Sequence, residues 1–236
     1  MPSSTRKGEG ERGGDSSVVK KRRPQNDKAR AIEIFDLLGK EYPGVKPALD
    51  YTSAFELLIS TVLSAQCTDA RVNIVTKTLF KKYKKPEDYI NVKQEELEKD
   101  IFSTGFYRQK AKSIQACCRQ LIEKHNGKVP KDFDELTKLS GVGRKTASVV
   151  AGNAFGIPAI AVDTHVKRIS NLLGFVKTQD PEKIEMELKE LLPESYWTNS
   201  SHWLATHGRN VCFARRPQCF NCVIGQLCPS FNPNAK

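Results

Sequence analysis

From about residue 29 onward, apolar positions recur at helical spacing with little interruption. Ala31, Ile34, Phe35, Leu38 and Tyr42 mark the inner face of an amphipathic helix that Pro43-Gly44 should end. AFELLISTVLSAQ, residues 54–66, is apolar nearly all round, the pattern of a central buried helix. Val72, Val75, Leu79 and Tyr83 continue the spacing, and Leu97, Ile101 and Phe102 fit a short helix after them. Ala111, Ile114, Cys118, Leu121 and Ile122 predict a long helix closed at His125-Asn126-Gly127, where Gly suits a left-handed cap. Asp132 with Glu135 three residues later reads as a capping box, so a helix is expected from Phe133 to about Leu139. No stretch alternates long enough to predict a sheet. The fold class is therefore all-α.

Residues 1–28 break the pattern. They are rich in Ser, Gly and charge and nearly empty of large apolar side chains, so they cannot bury enough surface to offset the entropy of ordering and are read as a disordered basic tail. The tail has no apolar run of signal-peptide length, and no later segment is long and apolar enough to span a membrane. The expectation is a monomer without membrane contact, in the cytoplasm beside the nucleoid of a bacterium or in the nucleus of a eukaryote. The formal charge of +11 points to a polyanionic partner. Part of that excess lies in residues 1–30, which hold nine Lys/Arg against four Asp/Glu.

The chemistry concentrates in LSGVGRKTASVVAG, residues 139–152. Gly141-Val142-Gly143 supplies two positions free to take positive φ between two helices, and Arg144-Lys145 opens the second. The unpaired N–H groups of such a helix N-terminus, with the positive end of its dipole, suit a DNA phosphate. Arg144 or the backbone is enough for that attraction, so Lys145 needs its own account. An amine nucleophile forming a Schiff base is one reading and a plain phosphate contact is the other. Eighteen residues on, in AIAVDTHVKR, Asp163 precedes a predicted helix. It is a natural N-cap, and a carboxylate there could also take a proton from Lys145 and oppose positive charge on a sugar carbon. Lys167 and Arg168 are expected to face solvent or DNA.

Four of the seven cysteines form Cys212-x6-Cys219-x2-Cys222-x5-Cys228. Four thiolates so closely spaced suit a metal, either one zinc or a cubane iron-sulfur cluster, and spacing alone leaves both open. The loop tied between Cys212 and Cys219 would hold Arg215 and Arg216 rigidly toward a phosphate backbone.

FELLISTVLSAQCTD (55–69), GFYRQKA (105–111), LSGVGRKTASVV (139–150), AVDTHVKR (161–168), HGRNVC (207–212) and the cysteine run together resemble endonuclease III, the bifunctional DNA glycosylase and abasic-site lyase family of base excision repair. The resemblance covers residues 30 to 228 and implies a 4Fe-4S cluster rather than zinc. It also implies a two-lobed helix-hairpin-helix fold: a six-helix lobe over 47–157, and a cluster lobe joining 29–46 to 158–236, with the active site between them. By position, Lys145 matches the Schiff-base nucleophile and Asp163 the essential carboxylate. Gln66 matches the residue that fills the gap left by a flipped nucleotide. Phe106 stands where the family has an apolar wedge, often Leu, and Ser140 where it commonly has Pro. The substrate implied is duplex DNA containing oxidised pyrimidines or abasic sites, with excision followed by β-elimination. Two rivals stand beside this: a MutY-type adenine glycosylase, which usually lacks the lysine and adds a C-terminal domain, and a non-enzymatic iron-sulfur DNA-binding module.

Overall fold

The computed structural model describes residues 24–233. Its α-helices are α1 (Pro24–Glu41), α2 (Ala54–Leu63), α3 (Asp69–Lys82), α4 (Pro86–Asn91), α5 (Gln94–Ile101), α6 (Tyr107–His125), α7 (Phe133–Thr137), α8 (Arg144–Ala154), α9 (Thr164–Leu172), α10 (Pro181–Leu191) and α11 (Trp197–Asn210). No strand occurs among the described residues, and no helix among them is long and apolar enough to cross a membrane. The tail reading of residues 1–28 falls outside the described residues as far as residue 23. Over 24–28 it is corrected, because α1 already starts at Pro24. Proline tolerates the first turn of a helix, and Asp27 there complements the dipole.

Buried apolar side chains form two clusters. The first gathers residues of α2 to α8, and α2 runs through its middle with every side chain from Leu57 to Leu63 buried. Burying one such Leu or Ile fully contributes about 1.5–3 kcal/mol, which is why this segment shows no polar face. Of its buried hydroxyls, Thr61 donates to the Leu57 carbonyl at 2.7 Å, whereas Ser60 Oγ has no hydrogen-bond partner. The second cluster joins Ala31, Ile34, Phe35 and Leu38 of α1 to α9, α10, α11 and Ile224. The chain passes from one cluster to the other between Ala159 and Ile160.

Three helices escaped the periodicity reading. α4 is six residues long, too short for a period, and is set by Pro86 at its start and by the Asp88 carboxylate accepting from the Lys84 and Lys85 N–H groups. α10 likewise starts at a proline, capped by Asp180. α11 mixes polar and apolar residues because both of its sides are covered. α2 is shorter than expected: it stops at Leu63, the Ser64 hydroxyl turns back to the Thr61 carbonyl, and Gln66 takes φ 52°.

α11 is the surface on which the two halves meet, since α8 and α9 both pack against it. Each contact depends on a missing Cβ. One built on Gly152 of α8 would lie 2.8 Å from Thr198 Cγ2, and one on Gly208 of α11 would lie 2.5 Å from His165 Nδ1 and 3.0 Å from its Cγ. Polar ties line the same seam: the Ser201 hydroxyl accepts from the Ala161 N–H at 2.9 Å, and His202 Nε2 meets Asn153 Oδ1 at 2.7 Å. Ion pairs also cross it. Glu185 of α10, 3% exposed, holds Arg144 Nη2 at 3.1 Å, with Lys189 Nζ at 2.6 Å on its other oxygen. Arg209 Nη2 of α11 meets Asp69 Oδ2 of α3 at 2.8 Å.

Gly208→Ala is expected to lower stability by about 1–3 kcal/mol, the usual cost of overpacking, because the imidazole root carbon as well as its tip stands in the way. Urea unfolding followed by circular dichroism measures this, and a midpoint equal to the parent's would mean that α9 and α11 separate without cost.

Candidate active site

The hairpin begins where α7, capped by Asp132 accepting from the Glu135 N–H at 2.9 Å, ends at Thr137. Gly141 takes φ 78°, and a Cβ there would also meet Ser113 Cβ at 2.9 Å, so both backbone and space require glycine. Gly143 differs from expectation. It is the N-cap of α8 with φ −91° and ψ 176°, a conformation open to any residue, and nothing lies within 4 Å of the place a Cβ would occupy. What glycine leaves there is open space above the first-turn N–H groups, with no side-chain cap to occupy them. Ser140 donates its N–H to Gln120 Oε1 at 2.7 Å, a bond that proline could not make. Arg144, expected at a phosphate, is turned toward Glu185 and lies over the Phe133 ring at 5.1 Å, so it braces the hairpin from behind.

Lys145, on the first turn of α8, opens into a cleft of about 680 Å³ between the two clusters. Asp163 stands on the same cleft although its helix belongs to the other cluster. It caps α9, Oδ1 accepting from the Val166 N–H at 2.8 Å, so the carboxylate is fixed by the backbone it terminates. Ser64, Asp69, His165 and Arg209 complete the wall. Burial lowers the pKa of His165 and so favours a neutral imidazole there.

Gln66 and Phe106 come together in a second, neighbouring groove of about 240 Å³, whose wall also includes Gly141 and Lys110. Both take left-handed backbone, φ 52° and 48°, and Phe106 is 65% exposed. An apolar ring displayed on a strained turn contributes little to either core.

Cys212, Cys219, Cys222 and Cys228 line one cavity of about 70 Å³ with Ile169, Leu173 and Ile224. Burial pushes the Cys222 thiol up to about 11 and also raises Cys212 and Cys228, so thiolates there need a bound positive charge. No group of three or more His, Cys, Asp or Glu among the described residues closes on a single metal ion. His207, 1% exposed, lies between Tyr42 and this cavity, with Nδ1 3.0 Å from the tyrosine hydroxyl and Nε2 3.4 Å from Cys222 Sγ. Burial raises the phenol to about 12 and drops the imidazole to about 4, so both are neutral. With the phenol donating to Nδ1, the ring proton sits on Nε2 and faces the sulfur. Arg168 does not face solvent as expected: its Nη2 donates to the Cys212 carbonyl at 2.6 Å. Arg30 Nη1 does the same to the Leu227 carbonyl at 3.1 Å, so a guanidinium holds each end of the cysteine segment. Arg215 and Arg216 are exposed on the loop between the first two cysteines.

Several of these residues lay inside the quoted motifs without being singled out: Ser64 and Asp69 in SAQCTD, Lys110 in GFYRQKA, His207 and Arg209 in HGRNVC. Spacing could not mark them, because each acts on a residue far away in the chain.

The family described as "HhH-GPD superfamily base excision DNA repair protein" matches residues 59–194. Endonuclease III of Synechocystis sp. is 49% identical over 210 residues, 89% of this chain and 96% of the relative. Endonuclease III of Bacillus subtilis is 50% identical over 194 residues, 82% and 89%. A solved structure of a trapped endonuclease III–DNA covalent intermediate superimposes with a TM-score of 0.83 at 50% identity, covering 86% of this chain and 96% of that one. On these matches the chain belongs to the helix-hairpin-helix base excision repair superfamily and, within it, to the endonuclease III family.

Proposed function

We propose that this chain excises oxidised pyrimidines from duplex DNA and nicks the abasic site that results, with Lys145 as the nucleophile of both steps. As an endonuclease III it is a DNA glycosylase with abasic-site lyase activity; the lesion class and the residue roles are what is inferred. The observation that carries the roles is that Lys145 and Asp163, from different clusters, open onto one cleft at helix N-termini.

The target base is stacked inside the duplex and must first be turned out, at a cost of a few kcal/mol that is lowest where damage has already weakened stacking. Gln66 and Phe106 fill the gap. Phosphates of the strand lie on the bare N–H groups at Gly143, and the open space above that glycine lets them approach closely. In the cleft, Asp163 takes a proton from the Lys145 amine, which attacks C1′ of the sugar. The N-glycosidic pair leaves with the base, and the carboxylate opposes the positive charge that develops on the sugar. The nitrogen lone pair then forms the Schiff base as the C1′–O4′ bond breaks and the sugar ring opens with a proton going to O4′; the Schiff base acidifies the C2′ proton, whose loss expels the 3′ phosphate and cuts the strand.

The donor set of four thiols in an apolar cavity, without a carboxylate, fits a 4Fe-4S cluster held by Cys212, Cys219, Cys222 and Cys228. Iron–thiolate bonds would staple the segment that displays Arg215 and Arg216 to the phosphate backbone.

Borohydride should trap a covalent complex between this protein and a duplex carrying one thymine glycol. Lys145→Gln should abolish the band, whereas Asp163→Asn should bind DNA normally and react roughly 10²–10³-fold more slowly. A band persisting in Lys145→Gln would remove that lysine from the chemistry. Gly143→Ala should cost no more than about 1 kcal/mol in stability, the difference between Gly and Ala at an N-cap, yet weaken binding to undamaged duplex. Unchanged affinity in a filter-binding titration would place the phosphate elsewhere. Replacing Arg215 and Arg216 by Ala should flatten the slope of log K against log salt by about 0.9 for each phosphate that these arginines neutralise; identical slopes would leave the loop off the DNA.

A further inference from the structure

Lys110 is the one buried lysine among the described residues, 5% exposed on the first turn of α6. Its ammonium meets no carboxylate. Nζ donates instead to the Leu63 carbonyl at 2.7 Å and the Thr104 carbonyl at 2.8 Å. Burial of this charge is unfavourable, and its pKa is lowered accordingly.

The two carbonyls belong to two different helix ends. Leu63 is the last residue of α2, and Thr104 the last of the short 3-10 turn Phe102–Thr104. Terminal carbonyls of helices lack intrahelical partners and carry the negative end of the dipole, so one cation between two of them satisfies both. Beyond each end the chain turns into left-handed backbone, at Gln66 three residues after Leu63 and at Phe106 two residues after Thr104. Left-handed backbone costs a non-glycine residue about 1–3 kcal/mol and persists only where the surroundings impose it. Lys110 is the tie common to both turns. Its own backbone N–H also bonds the Phe106 carbonyl at 3.0 Å, and its side chain shares the groove into which both residues open.

We infer that Lys110 is a positioning residue that locks the Gln66 and Phe106 turns at a fixed separation, so that the two side chains enter the duplex together as one rigid clamp. The inference rests on the proposed base-flipping reaction. It adds that the clamp is assembled by a buried charge rather than by contact between the two side chains. Without the ammonium, the ends of α2 and the 3-10 turn lose their common donor, both turns relax toward ordinary backbone, and the wedge no longer matches the gap.

The test separates flipping from chemistry. In a Lys145→Gln background, which binds without reacting, a 2-aminopurine placed beside a thymine glycol reports unstacking by its fluorescence. Adding Lys110→Met, of similar length and without charge, should lower that fluorescence at saturating protein. Lys110→Arg, whose wider head does not fit between carbonyls 2.7 and 2.8 Å from one nitrogen, should lower it too while keeping the charge, and serves if the methionine variant fails to fold. With Lys145 intact, Lys110→Met should slow excision of a paired thymine glycol by roughly 10- to 100-fold, the cost of misplacing groups by about 1 Å. Cleavage of the same strand with the lesion in an unpaired bulge should fall far less. In a Lys110→Met background, Phe106→Ala should add little to the defect, because the clamp is already open. Full unstacking in both variants, or an equal defect on paired and bulged DNA, would overturn the inference. Failure of the underlying reaction would show differently, as absence of a borohydride-trapped band with the parent protein.

Discussion

The catalytic cleft depends on how closely α8 and α9 lie on α11. Lys145 and Asp163 each stand at the start of one of those helices, and the two helices give their buried apolar side chains to different cores. What places their first turns on the same wall is a shared backing helix approached without Cβ atoms at Gly152 and Gly208. Interiors are packed too densely to absorb a methyl group for nothing, so a side chain at either glycine would shift the helix that carries Lys145 or Asp163. The ion pairs Arg144–Glu185 and Arg209–Asp69 close the same seam from two sides. They use as brackets two arginines that a charge count would assign to DNA.

Lys145 and Asp163 both stand at helix N-termini on the cleft. Asp163 is fixed because it caps α9, and Lys145 stands in the first turn of α8 just after an uncapped glycine. A helix N-terminus thus serves each partner in a different way. One binds a carboxylate through its N–H groups, and the other leaves its N–H groups without a side-chain cap. The cysteine segment follows the same economy, with guanidinium donors at its ends and a buried histidine at Cys222 Sγ.

Much of this was legible in the residues. Helical spacing marked α1, α2, α3, α5 and α6, and the cysteine run marked the four thiols that line one cavity. The Gly141-Val142-Gly143 turn marked the hairpin, although only Gly141 takes positive φ. α4 was not legible because a six-residue helix started by proline shows a cap rather than a period, whereas α10 does carry apolar residues at helical spacing, Ile184 and Leu188. The inward turn of Arg168 and the pairing of Arg144 with Glu185 were not legible because a surface arginine and a bracing arginine look alike until the opposite helix is in place.

The sequence by itself determined which segments are helical, which turn needs glycine, and which chemical groups exist to be used. Those properties follow from local backbone sterics and from the period of apolar residues. Only the tertiary structure decided which groups meet. It set Lys145 and Asp163 on one cleft, His207 between Tyr42 and Cys222, and Lys110 in the groove of Gln66 and Phe106. The reason is physical: a hydrogen bond or a shared cleft depends on separations of a few ångströms between residues tens of positions apart, and those are set by how helices pack.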